Sequence, residues 1–275
     1  MQFSEVVVPL DLVRPADAVM GVASALAGRA GVGVRLITVS SPLRDHTADR
    51  VDLRALAEKL RAPSVAVEVI ESNDVIPALL KVAGPDGLLC LETRARGPLG
   101  AIVVGSTASE LLRATQRPVL LVGPATDPDV PLGLIEVCVD LPDAAAALLP
   151  VVTTWGRDLN LRLRLVHALV AGDELRRHRA EADEELARVA SRAREDFGAQ
   201  AESDLLVGRS APEAIVDDVA RHRASIVAVA VHRRSRLRRR ALGSVALAVA
   251  HATRASVLAV PVLSQESPTR APRGD

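Results

Sequence analysis

Two stretches decide the fold. Gly105–Val122 reads GSTASELLRATQRPVLLV and Gly243–Val260 reads GSVALAVAHATRASVLAV. Aligned without gaps they share the opening Gly-Ser, then Ala108/Ala246, Ala114/Ala252, Thr115/Thr253, Val119/Val257, Leu120/Leu258 and Val122/Val260. Each reads as a helix opened by Gly-Ser and followed by a short apolar strand. Glycine permits a close backbone approach just before a helix, where free N–H groups and the helix dipole favour an anion. A spacing of roughly 130–140 residues marks a duplicated domain rather than a solenoid.

The elements before each stretch repeat in the same order. In the first half, strands are expected over Glu5–Leu10, Val34–Val39, Val65–Ile70, Gly87–Leu91 and Pro118–Val122. Helices are expected over Pro15–Ala30, Asp52–Arg61 and from the Ser72-Asn73-Asp74 caps through Ala83. Ser40–Val51 reads as polar loop. In the second half, strands are expected over Leu134–Val139 and Leu161–Val166, around Leu205–Val207, and over Ser225–Val231 and Ser256–Val260. Helices are expected over Asp143–Leu159, Asp173–Phe197 and from the capping box Ser210-Ala-Pro-Glu213 through His222. Strands alternating with helices indicate right-handed βαβ units and an open parallel sheet, which binds ligands at the carboxyl ends of its strands.

Composition agrees. Hydrophobic residues make up 49% and aromatics 1%, so the cores are built from Ala, Val, Leu and Ile, as suits a sheet buried on both faces. The 34 basic and 34 acidic residues cancel, which gives no general attraction to nucleic acid or to a membrane surface. No apolar run is long enough for a membrane span, and the N-terminus lacks the pattern of a signal peptide. Cys90 and Cys138 lie in apolar strand-like runs, without metal or disulfide spacing, and read as core thiols. These features point to the cytoplasm.

The order β-α-β-α-β-α-β-loop-Gly-Ser-helix-β in both halves resembles a tandem universal stress protein. VVVPLD at the start, GST…RPVLLV at the first end and LGSV…ASVLAV at the second carry the resemblance. It implies two tandem Rossmann-like α/β domains with open parallel sheets, packed as a pseudo-twofold pair through their fifth strands. The implied division is residues 1–124, a linker at 125–132, residues 133–263 and a disordered tail at 264–275. It further implies a stress-response binding or regulatory module rather than an enzyme, with ATP as the ligand of those members that bind nucleotide. The residues it points to are Pro9, Asp11, Val39, Arg94, Gly105, Ser106 and Thr107 in the first half, and Asp140, Gly243 and Ser244 in the second.

The family's nucleotide-binding pattern, G-x2-G-x9-G-[S/T], is only half kept. Its final Gly-Ser survives twice, but the earlier glycines are replaced by Glu92 and Ala95 in the first half and by Ala230 and Arg233 in the second. Where such glycines need positive φ, each replacement costs about 1–2 kcal/mol. Glu92 adds a charge of the wrong sign, which Arg94 or Arg96 could offset by contacting phosphate.

Each candidate has a structural reading beside the functional one. Asp11 and Asp140 end a first strand and cap the next helix, or they accept hydrogen bonds from a ribose or adenine. Ser106 and Ser244 cap their helices, and neither sits in a G-x-S-x-G elbow. A nucleotide-hydrolysing or adenylyl-transferring enzyme would need a catalytic base or metal carboxylates near the loop, and no such set is found. His167 aligns with Thr38 at an edge position that suits a site residue or a structural one. Asp217-Asp218 is expected on a solvated helix face. The loop HRRSRLRRR, His232–Arg240, carries six arginines in nine residues: Arg233, Arg234, Arg236, Arg238, Arg239 and Arg240. The alternative function is a polyanion- or partner-binding module acting through this loop without nucleotide; the bland reading is a solvated loop. No aromatic stands nearby to stack on bases, which counts against single-stranded nucleic acid. The remaining partners are the other half of the chain, a second copy as a homodimer, and an acidic protein surface. No metal is expected.

Overall fold

A computed structural model describes residues 3–14, 16–93, 106–139, 143–171, 175–198, 200–233 and 244–263. In chain order the first half runs β1 (Glu5–Pro9), α1 (Asp17–Ala30), β2 (Gly33–Ser40), α2 (Thr47–Ala57), β3 (Val65–Glu71), α3 (Val75–Ala83), β4 (Gly87–Glu92), α4 (Ser106–Ala114) and β5 (Val119–Val122). The second runs β6 (Leu134–Cys138), α5 (Asp143–Asp158), β7 (Arg162–Val170), α6 (Leu175–Phe197), β8 (Ala201–Gly208), α7 (Ala211–His222), β9 (Ile226–Arg233), α8 (Ser244–Ala252) and β10 (Ser256–Leu263). The tail at 264–275 lies outside the described residues.

All strands join one ten-stranded sheet in the order β3-β2-β1-β4-β5-β10-β9-β6-β7-β8. Within each half the pairing is parallel. The halves meet where β5 and β10 pair antiparallel, Leu120 opposite Leu258. An α/β sheet of this kind must bury both faces, and pleat alternation sorts its side chains. Val6, Val8, Leu36, Cys90, Leu120, Val137 and Leu258 pack with α1, α2, α5 and α6 on one face. Val7, Ile37, Leu89, Leu121, Val229 and Val257 pack with α3, α4, α7 and α8 on the other. Phe3 of the first half meets Trp155 of α5 with ring centroids 5.4 Å apart, so two of the chain's three aromatics join the halves.

The proline-rich segment between the halves is strapped down rather than loose. Thr126 Oγ1 accepts from Gly123 N at 2.9 Å and donates to Ala255 O at 3.2 Å. Asp127 N donates to Arg254 O at 2.9 Å, and the two side chains pair. On the other side Arg29 donates to Leu132 O at 2.8 Å. Pro128 lies so near Gly21 that a Cβ there would stand 2.5 Å from its side chain.

Strands β8 (from Ala201) and β10 (to Leu263) run longer than the sequence reading, and three other elements depart from it. Helix α2 begins at Thr47, inside the expected loop, and ends at Ala57 rather than Arg61. Asp45 starts it, accepting from Thr47 N at 2.9 Å and Thr47 Oγ1 at 2.7 Å. Strand β7 runs on to Val170, so His167 lies within it, because β8 offers a partner as far as Val170↔Gly208. Strand β9 continues through His232 and Arg233, which pair with Val262 and Leu263 instead of opening the arginine loop.

Candidate functional site

In each half the strand order reverses beside the first strand: β1 stands between β2 and β4, and β6 between β7 and β9. Chains leaving adjacent strands there diverge to opposite faces, which opens a crevice at the carboxyl edge.

In the first half the local fold fixes that edge. Leu10, just past β1, donates its N–H to Ile37 O at 2.8 Å and accepts at its carbonyl from Thr38 Oγ1 at 3.0 Å. With both backbone groups tied to β2, the chain turns at a fixed point, and Asp11 is the first residue beyond it. Arg14 N closes the turn onto Asp11 O at 3.1 Å, and Arg14 Nε stands 3.3 Å from the half-exposed Asp11 carboxylate. Val39, near the end of β2, packs toward the face that carries α3 and α4. Pro9 shares that face by pleat alternation with Val7. Helix α4 opens on the same face with Ser106, and Thr107 is exposed in its first turn. The fold therefore gathers Pro9, Asp11, Val39 and the start of α4 at one end of β1, β2 and β4. Arg94 and Gly105 lie outside the described residues. Glu92 is the last residue of β4, paired with Val122.

The second half repeats the hook with different chemistry. Val139 N donates to Val166 O at 2.9 Å, and His167 Nδ1 donates to Val139 O at 2.7 Å, as Thr38 does to Leu10. That bond fixes the imidazole tautomer and gives His167 a structural role. Asp140, Gly243, Arg234, Arg236, Arg238, Arg239 and Arg240 lie outside the described residues. Ser244 is the first residue of α8. Ala230, where the nucleotide pattern has its first glycine, is a paired ladder residue opposite Val260, and Arg233 pairs with Leu263. The second half thus extends its sheet where a phosphate loop would begin.

A buried charge cluster escaped the sequence reading. Asp218, expected on a solvated face, is 1% exposed. Its carboxylate accepts from Arg164 Nε at 2.8 Å and from Arg221 Nη1 at 3.2 Å, and Arg164 also donates to Asp204 at 2.8 Å. The helical phase carries the missed signal: Ala214, Ile215, Asp218 and Val219 share the buried stripe of α7, whereas Asp217 is exposed. Glu136 in β6 is fully buried and opposite Arg164 in register. Burial first, then the Asp218 charge, pushes its carboxyl up to about 8. In the first half the matching pair is Val7 opposite Arg35, and Arg35 reaches the half-buried Glu5 at 2.7 Å and Glu68 at 3.3 Å. Burial also raises both thiols, Cys90 to about 12. Among the described residues no group of His, Cys, Asp and Glu could hold a metal ion, and no helix is long and apolar enough to cross a membrane.

Fold and topology together define a duplicated open-sheet α/β protein, not a single Rossmann-like unit. Residues 134–261 match the model of the universal stress protein family, and this half of the chain belongs to that family. The first half carries the same fold. A universal stress protein from Archaeoglobus fulgidus superposes with a TM-score of 0.64 at 14% identity, covering 95% of this chain and 99% of its own. A functionally unknown protein from Pseudomonas aeruginosa superposes with a TM-score of 0.65 at 16% identity, covering 94% and 92%. Both likenesses concern the fold. No curated protein matches the chain.

Proposed function

We propose that the chain is a cytoplasmic stress-response module that binds an adenine nucleotide, ATP, in its first half and regulates by binding rather than by catalysis. The observation that carries this reading is the fixed end of β1. Leu10 is tied twice to β2, which holds Asp11 at the reversal point beside the opening of α4. Asp11 would accept hydrogen bonds from the ribose or base, Pro9 and Val39 would supply an apolar wall, and the free N–H groups of α4 with Ser106 and Thr107 would face phosphate. The residues present fit such a ligand in this half better than in the second, whose sheet runs through the corresponding place. Unpaired cysteines suit a reducing compartment.

The test is equilibrium binding of ATP to the purified chain after removal of co-purified nucleotide, with Gly105→Asp as control. Saturable binding in the micromolar range that is lost in the variant is expected. No binding up to millimolar ATP refutes the reading.

A further inference from the structure

Glu136 of β6 is fully buried, and among the described residues it is the carboxyl group whose two buried oxygens both lack a donor. The group within its hydrogen-bonding reach is another acceptor, the Asp218 carboxylate. Glu136 lies on the face of the sheet that carries α7 and α8, by alternation with Leu134. Arg164 of β7 is committed through Nε to Asp218 and through Nη2 to Asp204 of β8. From α7 come Asp218 itself, Arg221, and His222, whose Nδ1 stands 3.2 Å from Asp218 Oδ1. Beyond Glu136 on β6 lies Cys138, its thiol driven up by burial and then by the charges of Glu136 and Asp218. Strand β9 presents Val227 and Val229 to this layer, and α8 presents the apolar Ala246, Leu247, Val249 and Ala250; the ring nitrogens of His251 on α8 are buried without partners. The cations around α7 thus converge on Asp218, leaving a second carboxyl group, deeper in the sheet, with none of its own.

Two adjacent buried carboxylates sharing one committed guanidinium cannot both be charged at low cost. We propose that Glu136 holds a proton that acts as a latch between α7 and the sheet. With the proton in place, a neutral carboxyl group sits beneath Asp218 and α7 seats against β7 and β8. When the proton leaves, the new charge faces Asp218 in a dry layer, and the cheapest relief is to move α7 outward and admit water. Helix α8 packs on α7, so it shares in the movement. The first half has no such device, because Val7 occupies the matching place.

The sign follows from linkage. Glu136 binds its proton more tightly with α7 seated, up to about 8, than in an open, hydrated state near its ordinary 4.5. The latch is complete below that ordinary value and is lost progressively as pH rises to the seated one. Hydrogen exchange across α7 in the full chain, corrected for intrinsic rates and followed from about pH 5 to about pH 9, reads this directly. The opening constant of α7 is expected to rise by up to about tenfold per pH unit until the seated value is passed. In Glu136→Gln that dependence should vanish, and α4 and α3 of the first half should show none of it in either protein. Isotope-edited NMR of the glutamate carboxyl groups should show Glu136 titrating far above the others in the unmodified chain. An ordinary titration for Glu136, or the same pH slope across α7 in the two proteins, overturns the latch. Should Glu136→Gln fail to fold, Glu136→Leu provides the comparison, and the titration of the unmodified chain decides the matter alone.

Discussion

Gly123 closes the first half against the second, and replacing it with alanine should separate them. An added Cβ would stand 1.6 Å from Ala250 O and 2.6 Å from the Ala250 carbonyl carbon. Non-bonded contact settles near about 3.5 Å, so one backbone must retreat by roughly 2 Å. Neither can do so alone. Ala250 is in α8, whose Ala246, Leu247, Val249 and Ala250 are all buried, and Gly123 follows the last strand of its own half. No rotamer change relieves a clash between backbones, so the cost falls at the upper end of the overpacking range, about 3 kcal/mol. Moving Gly123 also endangers the bonds through Thr126 to Gly123 N and Ala255 O, each worth about 1 kcal/mol. A loss of roughly 3–5 kcal/mol is therefore expected in urea denaturation followed by circular dichroism. Gly28→Ala is the matched control. It lies inside α1, its nearest prospective neighbour is Arg61 O at 3.9 Å, and alanine there should stabilise by about 0.5–1 kcal/mol. An unchanged midpoint in Gly123→Ala, or equal shifts in both variants, would refute the steric reasoning.

Two further outcomes test the charge cluster. Arg164→Met takes the buried 2.8 Å partner from Asp218, leaving it only Arg221 and His222 at 3.2 Å, and should cost about 3 kcal/mol, whereas Arg35→Met, whose partners are partly exposed, should cost about 1 kcal/mol or less. Equal losses in denaturant titrations of the two variants would contradict the difference in burial. Glu136→Gln should be more stable than the parent by roughly 3 kcal/mol near neutral pH, with the gain shrinking by about 1.4 kcal/mol for each unit of acidification until it disappears near the ordinary glutamate value. A pH-independent difference in urea midpoints would show that Glu136 binds its proton no more tightly in the folded state than in the unfolded one.

Much of the architecture was legible because it rests on local patterns that occur twice. Strand runs such as EVVVP and LIEVC and the two Gly-Ser helices announce βαβ units without reference to anything distant. What escaped depends on partners. Helix α2 buries only Leu53, so it has almost no apolar stripe to read; its start is set by Asp45 and Thr47, in a segment that otherwise looks like loop. His167 and Arg233 look like loop residues in isolation and are strand residues because β8 and β10 extend alongside them. Asp218 was misplaced through its neighbour Asp217, although one step along a helix turns a side chain by about 100° and takes it from solvent to core. Of the candidate site, the end of β1 was legible from its aspartate. Its double tie to β2 was not, since Thr38 is an ordinary threonine until Leu10 is placed beside it.

The duplication explains why the two halves can differ so far at matching places. A symmetric pair of separate chains would repeat every substitution on both sides of the axis. In one chain, Glu136 and Val7 can occupy equivalent positions, and so can His167 and Thr38. The differences are not scattered. The first half keeps short fourth and fifth strands, β4 ending at Glu92 and β5 at Val122, so its carboxyl edge ends near the turn at Asp11. The second half lengthens both counterparts, to Arg233 and Leu263, and pairs them across the extra residues. Ladder hydrogen bonds there take up backbone groups that a phosphate-binding loop would need to present to its ligand. The same half carries the buried cluster under α7. One half therefore ends its fourth and fifth strands early, while the other lengthens both and places its titratable group inside the core. The antiparallel seam of β5 and β10, with Gly123 packed against Ala250, joins the two halves directly, so a change in either has a backbone path to the other.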